Sequence, residues 1–484
     1  MTTTGSSIFF WRVICCSAAL LLPHLSFADE PTTRLVMTGD IMLAREVQRE
    51  IQRKNNQSPW HGMKTFFYGA DWVMGNFEAG VSNHNNCSAT DHLCFAVPSQ
   101  SLDYLKNAGF TALGIENNHS ADTGENARER TRTAITAAGM SVIDYEHSPG
   151  FYRNHNYIFS FIALSNVADK TGFNVDVPSN ELRQKIRLAK SLSDWLIVNI
   201  HWGAELADWP QPNQKAMAEW LIDQGVDVII GHHPHVVQPV ECLKGKPVFF
   251  SLGNHVFDQK YPQTKQGLIA DCKATNNELS CTGVQTTTPA NSAFPMLATQ
   301  NIISTKNLEH CRVQKSTPLV IDNYHIRPKL AHKQFVGGDL VLEATQPGKK
   351  GWILAARHLL SAERATFPHQ QKEENFLVTL ETHHSSIDKE MGPRPYVYKV
   401  TGHGLVAKWR GSALAWPLID AVLIPKPENS INYLCALHRK DSFITLNPTT
   451  NETRTAVYQW NGFGFSGIEE AALNRECQDM FAGK

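Results

Sequence analysis

An apolar run, Val228, Ile229 and Ile230, leads through Gly231 into His232, His233, Pro234 and His235. A strand that ends in a glycine and a proline-constrained run of imidazoles offers ring nitrogens from a turned, pre-oriented loop, which is how proteins hold metal ions. Four other stretches put a ligand-type side chain just beyond a short apolar run: Thr38–Met42 with Asp40, Met74–Glu78 with Glu78, Glu116–His119 with Asn118 and His119, and Val198–Gly203 with His201. Taken singly, each residue is as well explained as a turn former. Five strand ends carrying the same donor types point to one site.

Carboxylate, amide and imidazole donors without thiolates suit a divalent ion of intermediate hardness, Mn, Fe or Zn, bound singly or as a pair. A pair of ions about 3.5 to 4 Å apart requires a shared carboxylate; it polarises a substrate oxygen and generates hydroxide from water. Glu78, between the others in chain order, is the bridging candidate. His119, beside Asn118, is placed to protonate a leaving group as an imidazole that is not itself a ligand. Asn254 and His255, after the apolar run that begins at Lys246, are polar residues that could wall the site, but nothing in their spacing demands a ligand.

The elements that must position these residues alternate. Arg34–Thr38 reads as a buried strand closed by Gly39 and Asp40, and Ile41–Ile51 has apolar residues at helical spacing. The pattern repeats with strands near Asp71–Met74, Thr111–Ile115, Tyr157–Leu164, Trp195–Ile200 and Asp227–Ile230, and helices over Ser99–Ala108, Gly124–Ala138 and Asn213–Gln224. Strands alternating with helices imply a layered α/β domain whose ligands lie past the strands' carboxyl ends. From Cys272 to Thr317 the composition turns polar and reads as a long insertion or linker. From Pro318 onward short runs such as Phe376–Leu380, Tyr396–Val400 and Thr455–Trp460 recur between polar turns, the pattern of a mostly antiparallel β domain. Its aromatics are read mainly as core.

The 484 residues are too many for one compact core, and the chain divides on this reading into residues 1–28, 29–317 and 318–484. The first segment, with Arg12, the apolar run Val13–Pro23 and the small residues around Ala28, reads as a secretory signal peptide, so the mature chain is expected outside the cytoplasm, periplasmic or extracellular. A formal net charge of −1 supplies no basic field and speaks against nucleic acid as a partner. Of the 10 cysteines, Cys15 and Cys16 fall in the signal; the others form an even set suited to disulfides, with Cys87–Cys94 and Cys272–Cys281 the favoured pairs.

The order of motifs also carries a resemblance. Gly39–Leu43, Gly75–Glu78, Asn117–Gly124, Ile200–Gly203, Gly231–Gln238 and Ser251–Asp258 resemble the signature stretches of CapA-type proteins, the poly-gamma-glutamate capsule biosynthesis family, over about Arg34 to Asp258. That family is similar in fold to calcineurin-like metallophosphoesterases, so the resemblance implies a four-layer α/β/β/α sandwich with a two-metal centre. On that pattern Asp40 and His235 resemble ligands of one ion, Asn118, His201 and His233 ligands of the other, Glu78 the bridge and His119 the general acid. The match departs at Met42, where metallophosphoesterases carry the histidine of their Asp-x-His motif, and at Glu78, where they carry Asp. His232 has no place in the pattern and is expected outside the ligand set. The implied function is a metal-dependent hydrolase acting on a phosphoester or amide of a cell-surface polymer or its precursor. The rival is an accessory protein that binds polymer or the capsule synthesis machinery and uses its metal structurally.

Overall fold

The computed structural model describes residues 1–2, 32–82, 87, 93–300, 304–346, 351–354, 358–369, 372–384, 391–411, 414, 416–426, 430–439 and 452–482. The chain divides at Pro31/Thr32, and Thr32–Lys484 is one compact unit to which everything below refers. The segment read as a signal peptide lies outside the described residues, apart from the first two.

Two sheets carry the first half of this unit. In a 9-stranded sheet, Thr33–Ile41 runs parallel to Trp72–Phe77, followed by Ala112–Gly114 and Ser141–Ile143, also parallel. On its other side Thr33–Ile41 pairs antiparallel with Gln266–Thr275, which pairs with Glu278–Thr287. In a 7-stranded sheet, Tyr157–Ser165, Trp195–His201, Val228–His232 and Lys246–Phe249 are mutually parallel neighbours. One edge of this sheet is Gly150–Asn154, covered by the short antiparallel strand Phe335–Val336.

Burial explains the stacking. Leu35, Met37, Trp72 and Met74 of the first sheet share an apolar cluster with Phe159, Phe161, Trp195, Ile197 and Phe249 of the second. Strands buried this way read as continuous apolar runs, as these do. The first sheet's opposite face packs with helices Arg45–Arg53, Leu102–Ala108 and Ala127–Ala137 through Val47, Ile51, Leu105 and Ile135. The second sheet's opposite face packs with Asn180–Leu192 and Pro212–Asp223 through Leu182, Ile186, Met217 and Leu221.

The helix Asn180–Leu192 is absent from the sequence reading, although Leu182, Ile186 and Ala189 keep helical spacing and Ser179 caps it by accepting the Leu182 amide at 3.4 Å. The polar stretch from Cys272 is neither insertion nor linker where it begins. Gln266–Thr275 and Glu278–Thr287 form a hairpin of the 9-stranded sheet, turned by Asn276 and Asn277 at φ 52° and 63°. Positive φ at both turn residues matches the strands' twist, and asparagine tolerates it. One face of the hairpin is buried through Leu268, Ala270, Ala274 and Leu279, while the other mixes the buried Ile269 with Asp271, Lys273, Ser280 and Thr282, so most of its polar residues belong to one face of a period-two pattern.

Beyond Pro318 three 4-stranded antiparallel arrays follow in chain order, over Val320–Leu354, Leu359–Arg410 and Leu418–Ile468. Helix Ala471–Phe481 then packs on the last of these through Leu473, Cys477 and Phe481. Cys435–Cys477 ties it there; Cys87–Cys94, Cys272–Cys281 and Cys242–Cys311 are the other disulfides. Trp460 and Phe376 are core residues, whereas Phe463 is exposed. No helix among the described residues is long and apolar enough to cross a membrane.

Candidate metal centre

The carboxyl ends of the parallel strands in both sheets meet at one place. Two glycines allow the approach: a Cβ on Gly39 would lie 1.9 Å from the Gly253 carbonyl oxygen, and one on Gly231 would lie 2.0 Å from that of Phe250. Only a residue without a side chain lets these ligand-bearing strand ends sit so close to the neighbouring backbone.

Asp40, at the end of Thr33–Ile41, is fully buried. Its Oδ1 accepts from the Asn76 side-chain amide at 2.9 Å and lies 3.0 Å from His232 Nδ1, while Oδ2 lies 3.2 Å from His235 Nδ1 and accepts the His233 amide at 3.3 Å. Glu78 follows strand Trp72–Phe77; its Oε1 accepts from Asn76 at 2.9 Å and lies 3.8 Å from His201 Nδ1, and its Oε2 lies 3.8 Å from His235 Nε2. His201 Nε2 is 3.0 Å from Asn118 Oδ1, and the His201 and His233 rings are 4.7 Å apart. His235 Nδ1 also lies 2.9 Å from Asn254 Oδ1. The structure therefore gathers Asp40, Glu78, Asn118, His201, His233 and His235 from five strand ends into one pocket.

Two sets of three donors stand out, each with its ligand atoms within 4.8 Å of one another: Asp40, Glu78 and His201, all buried, and Glu205, His233 and His235, of which Glu205 is exposed. Glu205 escaped the sequence reading because it sits in the loop after His201 with no apolar run before it. Asn76 escaped as well. It donates to both carboxylates and accepts from Asn117 Nδ2 at 3.2 Å, so one amide ties the acidic pair together.

Burial opposes ionisation of Asp40, but His232 and His235 outweigh it and hold that carboxyl well below the usual range. Burial and the Asp40 charge push Glu78 well above it. Burial and neighbouring imidazoles keep His201 well below its ordinary value and bring His233 down to about 4. Neutral imidazoles are the form that ligates. Glu78 Oε2 and His233 Nδ1 are buried without a hydrogen-bond partner. Such orphaned atoms cost free energy unless something binds them. The donor set and its orphans fit a divalent cation.

His119 sits beside this set. Its Nδ1 lies 2.8 Å from Asp122 Oδ2, its ring stacks on Phe95 at 3.9 Å, and Asp122 also accepts the Phe95 amide at 2.7 Å. The Arg45 guanidinium also lies over the Phe95 ring, 4.7 Å from its centre. Asp122 thus fixes both the ring and its stacking partner. His232 bridges Asp40 and Asn199, the latter at 2.8 Å, and supports the carboxylate from behind. Met42 is fully buried among apolar side chains, and its sulfur accepts the Ala44 amide at 3.0 Å. His255 does not wall the site: its Nε2 accepts from Trp60 at 2.9 Å within a nest of Phe67 and Phe110, and burial lowers it to about 3. Of the two polar residues after Gly253, only Asn254 reaches the pocket.

The observations define an α/β protein with a carboxylate and imidazole centre where its parallel strands end. A family profile described as bacterial capsule synthesis protein PGA_cap matches residues 34–259. Over 263 residues the chain is 29% identical to the capsule biosynthesis protein CapA of Bacillus anthracis, covering 50% of this chain and 64% of that protein. It is 29% identical to the PGA biosynthesis protein CapA of Bacillus subtilis (strain 168), covering 51% and 69%. Over 80 residues it is 32% identical to a probable polyglutamine synthesis accessory protein of Mycobacterium tuberculosis, covering 16% and 21%. Residues 34–259 thus form a CapA-type domain of the bacterial capsule synthesis family.

Proposed function

We propose that this chain is an exported, metal-dependent hydrolase of capsule or cell-surface polymer biosynthesis, acting on a phosphoester, or an amide, of a polyglutamate-like polymer or its precursor. The observation that carries the reading is the pocket itself: two carboxylates driven to opposite ionisation, neutral imidazoles, and a histidine–carboxylate pair beside them. Perturbed groups converging in this way are a signature of chemistry. The apolar run at residues 13–23 and the disulfides support export into an oxidising compartment. The three apolar clusters around the two sheets support a four-layer α/β/β/α sandwich, with residues 318–484 a β-rich module beside it.

Asp40, Glu78, Asn118, His201, His233 and His235 would hold one or two ions of Mn, Fe or Zn. Such ions supply Lewis-acid polarisation of a substrate oxygen and a water made acidic enough to attack near neutral pH. Asn76 keeps the two carboxylates at a fixed separation. His119, oriented through Nδ1 by Asp122, presents Nε2 to donate a proton to the departing oxygen.

The test is turnover of p-nitrophenyl phosphate esters by the purified protein with Mn. His119→Ala is expected to lower turnover by about 10²- to 10⁴-fold with metal content unchanged. Full metal loading without turnover on esters or polyglutamate would refute the hydrolase and favour the accessory role, in which the chain binds polymer or the synthesis machinery around a structural ion. The core position of Met42 and the accessory name of the mycobacterial relative favour that second reading.

A further inference from the structure

We infer that Glu205 is a metal ligand, closing with His233 and His235 a second, solvent-side site for a divalent cation next to the buried set of Asp40, Glu78 and His201. The inference rests on the reading of the pocket as a metal centre and adds a carboxylate that no motif of the chain supplied.

Its ligand atom lies within 4.8 Å of those of both histidines. The backbone holds it there. Trp202 donates its amide to the His232 carbonyl at 3.1 Å, Leu206 to that of Pro234 at 2.9 Å, and the Gln238 side chain to that of Ala207 at 2.8 Å, so the loop is fastened to the histidine loop on both sides of Glu205. Leu206 and His233 take left-handed φ values of 60° and 95°, conformations a non-glycine residue keeps only where its surroundings hold it. An independent observation points to a ligand: His233 Nδ1 is buried and has no hydrogen-bond partner. Among the described residues Glu205 makes no hydrogen bond or ion pair, so its carboxylate faces the two rings uncompensated.

The chemistry is coherent. Two imidazoles and one carboxylate suit Mn, Fe or Zn and leave positions open for water and substrate. Met42 gives its sulfur to a backbone amide, so the donor that an Asp-x-His strand would bring from the first sheet is missing, and Glu205 brings one from the second. Because Glu205 is exposed, this ion is the more weakly held of the two.

Calorimetric and elemental titration of the full chain with Mn²⁺ tests the inference. The wild type is expected to take up two ions, and Glu205→Gln to bind one unchanged and the other at least ~10-fold more weakly. Mn electron paramagnetic resonance should change from a coupled pair to an isolated ion. Metal-free melting should be unchanged, since Glu205 is exposed. Equal affinity of wild type and Glu205→Gln for every ion bound would overturn the role of Glu205 and leave the metal centre standing. A wild type that binds no ion would overturn both.

Discussion

Asn76 is the residue on which the acidic pair depends. Its amide nitrogen donates to Asp40 and Glu78 at 2.9 Å each, one shared donor for two neighbouring buried carboxyl groups. Asn76→Ala is expected to weaken Mn binding by about 10- to 100-fold, read by titration calorimetry. It should also cost about 1–3 kcal/mol of stability in a metal-free denaturant melt; unchanged affinity would show that the amide is a bystander. At this scale the sequence was informative in proportion to pattern. Asp40, Glu78, Asn118, His119, His201, His233 and His235 each end an apolar run or follow it closely, and a strand's end is where a ligand is expected. Asn76 lies inside a strand, Asp122 one turn beyond His119 and Glu205 in an open loop. Each also depends on a partner distant in the chain, Asp40 for Asn76, Phe95 for Asp122 and His233 for Glu205, and no local spacing encodes such contacts.

Elements were legible where burial leaves a period. The parallel strands, apolar throughout, announced themselves; the hairpin Gln266–Thr287 has one mixed face, and its threonines and Ser280 hid the alternation. The twin asparagines of its turn were the available clue. The last antiparallel array holds a titratable core group: His438 lies 3.0 Å from both the Trp416 carbonyl oxygen and the Tyr458 hydroxyl, and burial brings it down to about 4. The unfolded chain protonates this ring below its ordinary value while the folded chain does not. Stability therefore falls as pH drops through the window from about 6.5 to 4, by about 3 kcal/mol in all. His438→Gln, which keeps a donor and an acceptor but does not titrate, should flatten that slope in urea melts between pH 4.5 and 7. An unchanged slope would place the titration elsewhere.

Across the whole unit, residues 180–192 and the β-rich half meet through a buried charge pair. Arg187, on the helix, donates to both oxygens of Asp420 at 3.0 and 2.6 Å, and Asp420 is fully buried. Removing one partner strands the other: Asp420→Ala is expected to cost about 3–5 kcal/mol, and a paired Arg187→Met, Asp420→Leu replacement to recover most of it. Equal losses in the single and double variants would show that packing, not charge, sets the cost.

The two-residue strand Phe335–Val336 has an effect out of proportion to its length. It hydrogen-bonds along Gly150–Asn154, and Phe335 lies so close over Gly150 that a Cβ there would come within 2.2 Å of its ring. Cut the polypeptide after residue 317 and that row of amides and carbonyls is left bare beside a hollow where an aromatic ring had been, a template for a neighbouring molecule's backbone. Such a shortened product should sediment as oligomers while the intact chain stays disperse; equal sedimentation of the two would show that this edge needs no cover.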